Sequence, residues 1–206
     1  MVQPEVLLFS GFLGSGKTTL IMALARELAA LGSKTAFIVN EVGEIGVDQS
    51  IMRDGGLEVF EITSGCICCQ TGIDLVKTME KLTREHQPEV IIVEASGVAT
   101  PEGVVEALAY YRGEPLGRVR SIGVLDPTRL EALLTVMTPL IESQISQVDE
   151  IVITKVDECS EWELALAWEE AGRLNPHAEV GQLSVLDPVA LADLGRRLIP
   201  GEGGRR

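Results

Sequence analysis

The ten residues GFLGSGKTTL, running from Gly11 to Leu20, constrain the fold of this chain more than any other stretch. They fit the pattern G-x-x-x-x-G-K-[ST] through Gly11, Gly16, Lys17 and Thr18. The apolar run Val6-Leu7-Leu8-Phe9 precedes them and reads as a strand. Residues 18–31 follow as a helix, with Gly32 as its C-cap. A strand, a glycine turn and a helix in that order build a loop for phosphate. Glycines let backbone N–H groups curl around phosphate oxygens without Cβ clashes. The helix N-terminus adds about half a positive charge aimed at the same oxygens. Lys17 is placed to reach the β- and γ-phosphates, and the Thr18 hydroxyl to ligate Mg²⁺.

Beyond the loop, short apolar runs alternate with longer amphipathic segments. Strands are expected over 35–39, 57–62, 90–93, 119–125 and 150–154, with a weak one over 180–185. Helices are expected over 72–85, 101–111, 160–174 and 188–198. Thr100 caps the second of these, and Ser160 with Glu163 forms a capping box for the third. Residues 127–147 read as two short helices broken near Pro139. This alternation predicts an α/β fold of the P-loop NTPase type, with a mostly parallel central sheet covered by helices on both faces. With no internal repeat and no long linker, residues 1–200 are expected to form a single domain and 201–206 a flexible tail.

Composition narrows the function. A formal net charge of −14 repels a nucleic-acid backbone, so an anionic ligand must be held by local donors such as those of the loop. The start MVQPEV carries no secretory signal, and no apolar run approaches the roughly 18 residues of a membrane span. The expected location is the cytoplasm, with no membrane and no nucleic-acid partner.

Two further features point to the nucleotide. Thr154-Lys155-Val156-Asp157 directly follows a late strand, where GTP-binding P-loop proteins carry [NT]KxD. The Asp157 carboxylate can accept from both N1–H and N2–H₂ of guanine, and the Lys155 stem can cover the base. Two apolar strands end in an acid, at Glu94 and at Asp126. Glu94 is preferred as the carboxylate that holds Mg²⁺ through water, and Gly97 can offer its N–H to a γ-phosphate. Asp126, followed by Pro127, reads more simply as a turn or helix cap.

GFLGSGKTT, NEVGEIGVD, GCICC, VEASG and TKVD occur in this order, and with them the sequence resembles the CobW/HypB/UreG family of metallochaperone GTPases, most of all its CobW-type branch. The resemblance runs from about Val6 to about Asp157, with weaker likeness at Asn175-Pro176-His177-Ala178. It implies GTP binding and hydrolysis coupled to metal delivery, to a client metalloprotein or a cofactor-assembly protein, by an enzyme that is in some cases a homodimer. It implies phosphate and Mg²⁺ binding by Gly14, Ser15, Gly16, Lys17, Thr18 and Thr19. Residues 40–48 become a first switch, residues 94–97 a Walker B-like element, and Thr154 to Asp157 the guanine reader. Cys66, Cys68 and Cys69 become the metal motif. CobW-type members usually continue into a C-terminal domain, often rich in histidine, whereas this sequence ends at Arg206 and holds only His86 and His177.

The thiols fit that reading. Three of the chain's four cysteines fall within ITSGCICCQTG. Adjacent cysteines pair poorly and C-x-C bridges are strained, so a disulfide is disfavoured. Thiolates suit Zn²⁺ and its neighbours, Co²⁺ and Ni²⁺ among them. Glu44 is the candidate fourth ligand, with Glu41 behind it, while Cys159 reads as inert. For the attacking water, Asp48 or Glu41 is the candidate orienting group, and no glutamine or arginine finger stands out. Two other readings use the same residues: a P-loop small-molecule kinase, and a metal-responsive nucleotide switch without significant turnover.

Overall fold

The computed structural model describes residues 3–39, 57–61, 70–97 and 99–199. Seven strands form one sheet: β1 (Glu5–Ser10), β2 (Thr35–Val39), β3 (Leu57–Glu61), β4 (Val90–Glu94), β5 (Val119–Leu125), β6 (Glu150–Ile153) and β7 (Glu179–Gln182). Their order is β3-β2-β4-β1-β5-β6-β7, and every pairing is parallel. Parallel neighbours need crossovers, and among the described residues α1 (Lys17–Ala30), α2 (Gln70–Glu85), α3 (Pro101–Leu108), α4 (Pro127–Ile145) and α5 (Glu161–Leu174) lie between strands, while α6 (Pro188–Leu198) follows the last one.

Alternation along the central strands feeds both faces. Leu7 and Phe9 of β1 and Val90 and Ile92 of β4 pack with Leu20, Leu24, Leu191 and Leu194 from α1 and α6. Val6, Leu8, Ile91 and Val93 point the other way, onto Leu75, Met79 and Leu82 of α2 and Val104 of α3. A third cluster joins α4 and α5 to β5 and β6 through Leu130, Ile145, Ile151, Ile153 and Ala167. All five residues of β4 are buried, as a strand sandwiched between two helical layers requires. None of the described helices is long and apolar enough to cross a membrane.

The caps explain most helix ends. Thr100 accepts from the Gly103 N–H at the start of α3. Ser160 and Glu163 form the reciprocal capping box of α5. Residues 127–145 are two helical halves that meet end to end at a kink, as the sequence suggests. Met137 leaves helical geometry (φ −138°, ψ 27°) two residues before Pro139, which has no N–H for the preceding turn. The helix over 101–108 stops short of the expected Tyr111, whose hydroxyl donates to the Glu114 carbonyl at 2.8 Å and lies 2.8 Å from the Thr83 hydroxyl. The tail expected at 201–206 lies outside the described residues.

At the amino ends of β5, β6 and β7 sits a buried charge network. Glu150 is fully buried, 3.2 Å from Arg120 and 2.9 Å from Arg197. Arg120 also donates to the Arg197 carbonyl at 2.7 Å, which fastens α6 to the sheet. Burial pushes the Glu150 carboxyl up, against the pull of Arg197 and Arg120.

Candidate functional site

Strand β1 lies between β4 and β5, so consecutive strands β4 and β5 fall on opposite sides of it. Ligands of open α/β sheets bind where the strand order switches in this way, beyond the carboxyl ends. The glycine loop leaves β1 at that point. Gly11, Gly14 and Gly16 all have positive φ, at 141°, 80° and 90°. At Gly11 a Cβ would stand 2.5 Å from the Val124 carbonyl oxygen, so the close approach to β5 also demands glycine.

Gly16 is the N-cap of α1, makes no side-chain cap, and the first turn holds no acidic residue. The opening N–H groups are therefore offered to an anion. The Ser15 hydroxyl is buried in the same loop with no hydrogen-bond partner among the described residues. Lys17 is buried, and its ammonium donates to the carbonyls of Gly11 at 2.9 Å and Phe12 at 3.1 Å. Thr19 is exposed one residue beyond Thr18.

Thr18 and Glu94 meet across the loop. The Thr18 hydroxyl donates to Glu94 Oε1 at 2.7 Å, and Glu94 is buried at the end of β4. A hydroxyl and a carboxylate are hard oxygen donors, which is the set Mg²⁺ takes. Asp126 is occupied elsewhere. It caps α4 through the Thr128 N–H at 3.0 Å and hydroxyl at 2.7 Å, and pairs with Lys155 at 2.7 Å. The turn after Glu94 returns to the loop: a Cβ on Gly97 would be 3.0 Å from the Leu13 nitrogen.

The end of β6 is tied to the same loop. Thr154 is buried, and its hydroxyl donates to Ser15 O at 2.8 Å. Lys155, at φ 54°, donates to Gly14 O at 3.0 Å. Its stem thus runs along the loop, and the exposed Asp157 stands two residues on. Arg129 of α4, which sequence reasoning missed, donates to Leu13 O at 3.1 Å and lies 6.0 Å over the Phe12 ring. No sequence pattern marks a lone arginine one turn into a helix.

Asn175 is also structural. Its amide donates to the carbonyls of Ile145 and Val148, each at 2.9 Å, and its oxygen accepts from the His177 and Ala178 N–H groups. Cys159 is half-buried with its thiol pushed up by burial. Glu41, Glu44, Asp48, Cys66, Cys68 and Cys69 lie outside the described residues. Among the described residues, no group of three or more His, Cys, Asp or Glu side chains is gathered to hold a metal.

Comparison with known proteins agrees with this architecture. The CobW/HypB/UreG nucleotide-binding domain matches residues 5–182. The zinc chaperone YeiR of Escherichia coli (strain K12) is 33% identical over 196 residues, covering 92% of this chain and 58% of YeiR. The zinc chaperone YjiA of the same strain is 30% identical over 186 residues, covering 85% of this chain and 56% of YjiA. Zn(II)-bound YjiA GTPase from E. coli superposes with a TM-score of 0.64 at 25% identity, over 88% of this chain and 57% of that one. HypB from Helicobacter pylori, in complex with nickel, shares the fold with a TM-score of 0.64 at 21% identity, over 94% of this chain and 84% of that one. The chain spans rather more than half the length of YeiR and YjiA.

Proposed function

The chain belongs to the CobW/HypB/UreG family of P-loop GTPases, and from that premise we propose that it binds and hydrolyses GTP and couples the nucleotide state to delivery of a transition metal. Zinc is the favoured cargo, as in the names of YeiR and YjiA, with cobalt or nickel as alternatives. The recipient is a metalloprotein or cofactor-assembly protein, and a homodimer is the proposed working form. Residues 1–200 act as one GTPase domain.

One observation carries the nucleotide part. Two separate strand ends converge on the phosphate loop and the helix it opens: Glu94 after β4, 2.7 Å from Thr18, and the end of β6, with Thr154 at 2.8 Å from Ser15 and Lys155 at 3.0 Å from Gly14. Phosphoryl transfer is mostly positioning and charge stabilisation, and these contacts are suited to both. Lys17 supplies a cation beside the β- and γ-phosphates, and the N–H groups opening α1 receive the remaining phosphate oxygens. Thr18 and Glu94 would hold Mg²⁺, which when bound neutralises phosphate charge. Asp48 or Glu41 is proposed to orient the water. As the water oxygen bonds to the γ-phosphorus, the bond to the β–γ bridging oxygen breaks, and GDP leaves with that electron pair.

The metal part is supported by the C-x-C-C thiols at Cys66, Cys68 and Cys69, joined in the proposal by Glu44. If Glu44 sits in the switch that senses the γ-phosphate, GTP and GDP forms hold the metal with different affinity, as coupling requires. Such coupling has slow intrinsic turnover that a dimer or client accelerates.

The guanine reader is tested by Asp157→Asn. Asparagine keeps one acceptor oxygen but turns an amide donor toward the second guanine donor, and losing that one bond to a charged acceptor is worth about 1.5–3 kcal/mol, or roughly 10–100-fold in GTP affinity. Fluorescent-nucleotide titration is expected to show that loss, with xanthosine nucleotides gaining. Unchanged GTP affinity would remove Asp157 from the site. A phosphorylated small molecule in place of free phosphate would turn the reading to a kinase.

A further inference from the structure

Gln144 lies in α4, away from every motif that marks the site in the sequence. It is fully buried, and its Nε2 donates to the Gly97 carbonyl at 2.8 Å. Its main-chain carbonyl accepts from the Ser10 hydroxyl at 2.9 Å, and Ser10 is the last residue of β1, next to Gly11. One residue therefore braces both chain segments that flank the phosphates: the start of the glycine loop and the turn after Glu94.

Packing alone does not call for an amide here. The Gln144 Oε1 has no hydrogen-bond partner among the described residues, a burial that leucine or methionine would avoid. What only the amide supplies is the donor to Gly97. That glycine is held tightly on its other side, since a Cβ there would lie 3.0 Å from the Leu13 nitrogen and 3.2 Å from its Cα. The turn is thus fixed by Glu94 on Thr18, by contact with Leu13 and by Gln144.

The base of this brace is itself anchored. Downstream of the kink at Met137, Asn175 donates to the Ile145 carbonyl at 2.9 Å, next to Gln144 in the same half-helix. A shift of this half-helix would move the Gly97 carbonyl and the end of β1 together.

We propose that Gln144 is a positioning residue for GTP: through its Gly97 contact it sets the 94–97 turn so that the Gly97 N–H meets the γ-phosphate. This rests on the GTPase reading above. GDP lacks the γ-phosphate, so the effect is selective for the triphosphate.

The test compares GDP with a non-hydrolysable GTP analogue by calorimetry, and adds kcat and Tm. Gln144→Met removes the donor at similar volume, and Gln144→Asn withdraws the amide by one methylene. In both, analogue affinity and kcat fall about tenfold, as for one lost hydrogen bond, while GDP affinity stays within about twofold. Arg120→Met destabilises the fold at the amino ends of the strands, the opposite end of the sheet from Gly97, so it lowers Tm and leaves the analogue-to-GDP ratio alone. If Gln144→Met does not fold, Gln144→Asn decides. An unchanged ratio and kcat in the glutamine variants overturns the proposal, and so does an equal shift of the ratio in Arg120→Met. If the wild-type protein prefers neither guanine nucleotide and releases no phosphate, the GTPase reading itself fails.

Discussion

Lys17→Met is expected to reduce GTP hydrolysis by about 100-fold or more, the usual scale for removing one preorganised charge-stabilising donor from an active site. The buried ammonium is held by the Gly11 and Phe12 carbonyls, at the mouth of a loop where no acidic side chain opposes it in the first helical turn. It is thus set in place before nucleotide arrives, with little reorganisation left for the reaction. In a chain of net charge −14, a phosphate ligand depends on such local donors. Methionine keeps most of the apolar stem, so the fold is retained and the loss reports charge. Nucleotide affinity falls as well, by about 10–100-fold for a lost hydrogen bond to a charged group. Single-turnover phosphate release on folded protein measures both effects. Hydrolysis within about threefold of wild type would place the chemistry away from this loop.

The second large effect concerns stability. Arg120→Met leaves the fully buried Glu150 with Arg197 as its remaining close partner, at 2.9 Å. Removing one member of a buried ion pair costs about 3–5 kcal/mol, or roughly 6–20 °C in Tm for a domain of this size. Glu150→Gln behaves differently. Burial already raises the Glu150 carboxyl above its ordinary value, ahead of the opposing pull of Arg197 and Arg120. The folded state therefore binds the proton more tightly than the unfolded chain. The Glu150 contribution to stability falls as pH rises from the ordinary carboxylate range through the raised folded value. A neutral glutamine mimics the protonated form and its oxygen still accepts from Arg120, so at pH 7 Glu150→Gln costs much less than Arg120→Met. The deficit of Arg120→Met shrinks on acidification, because Glu150 then takes up a proton. Urea unfolding at pH 7 and pH 5 checks both signs. A Glu150→Gln variant as damaged as Arg120→Met would refute this balance of burial and charge.

Much of the framework was legible because local signals agreed with the tertiary outcome. The β-branched run of β4 needs burial on both faces and receives it. Ser160 with Glu163, and Thr100 before Pro101, set their helix starts by hydrogen bonds within three residues. Where a tertiary contact decided the matter, the sequence was less informative. Pro139 marks the break in α4, but the downstream half is held end to end with the first because Ile141 and Ile145 pack into the core. The last strand, at the sheet edge, is Glu179–Gln182 rather than 180–185, because its extent is set by register against β6.

The same division holds at the site. The glycine loop, Glu94 and TKVD are contiguous strings with a mechanism attached. Asp126 was readable as a cap but not as the partner of Lys155, which follows another strand 29 residues away. Gln144 sits 47 residues from Gly97, and Arg129 116 residues from Leu13. Nothing in their immediate neighbours announces those contacts.

In the mechanism proposed here the phosphate loop and the cysteines work as one coupled device. The direct test is GTP hydrolysis by the reduced protein, titrated with Zn²⁺, Co²⁺ and Ni²⁺, beside a variant with Cys66, Cys68 and Cys69 all changed to serine. The expected result is that one metal alters the wild-type rate and the triple variant loses that response while retaining basal hydrolysis. Hydrolysis that ignores all three metals in both proteins would contradict the coupling.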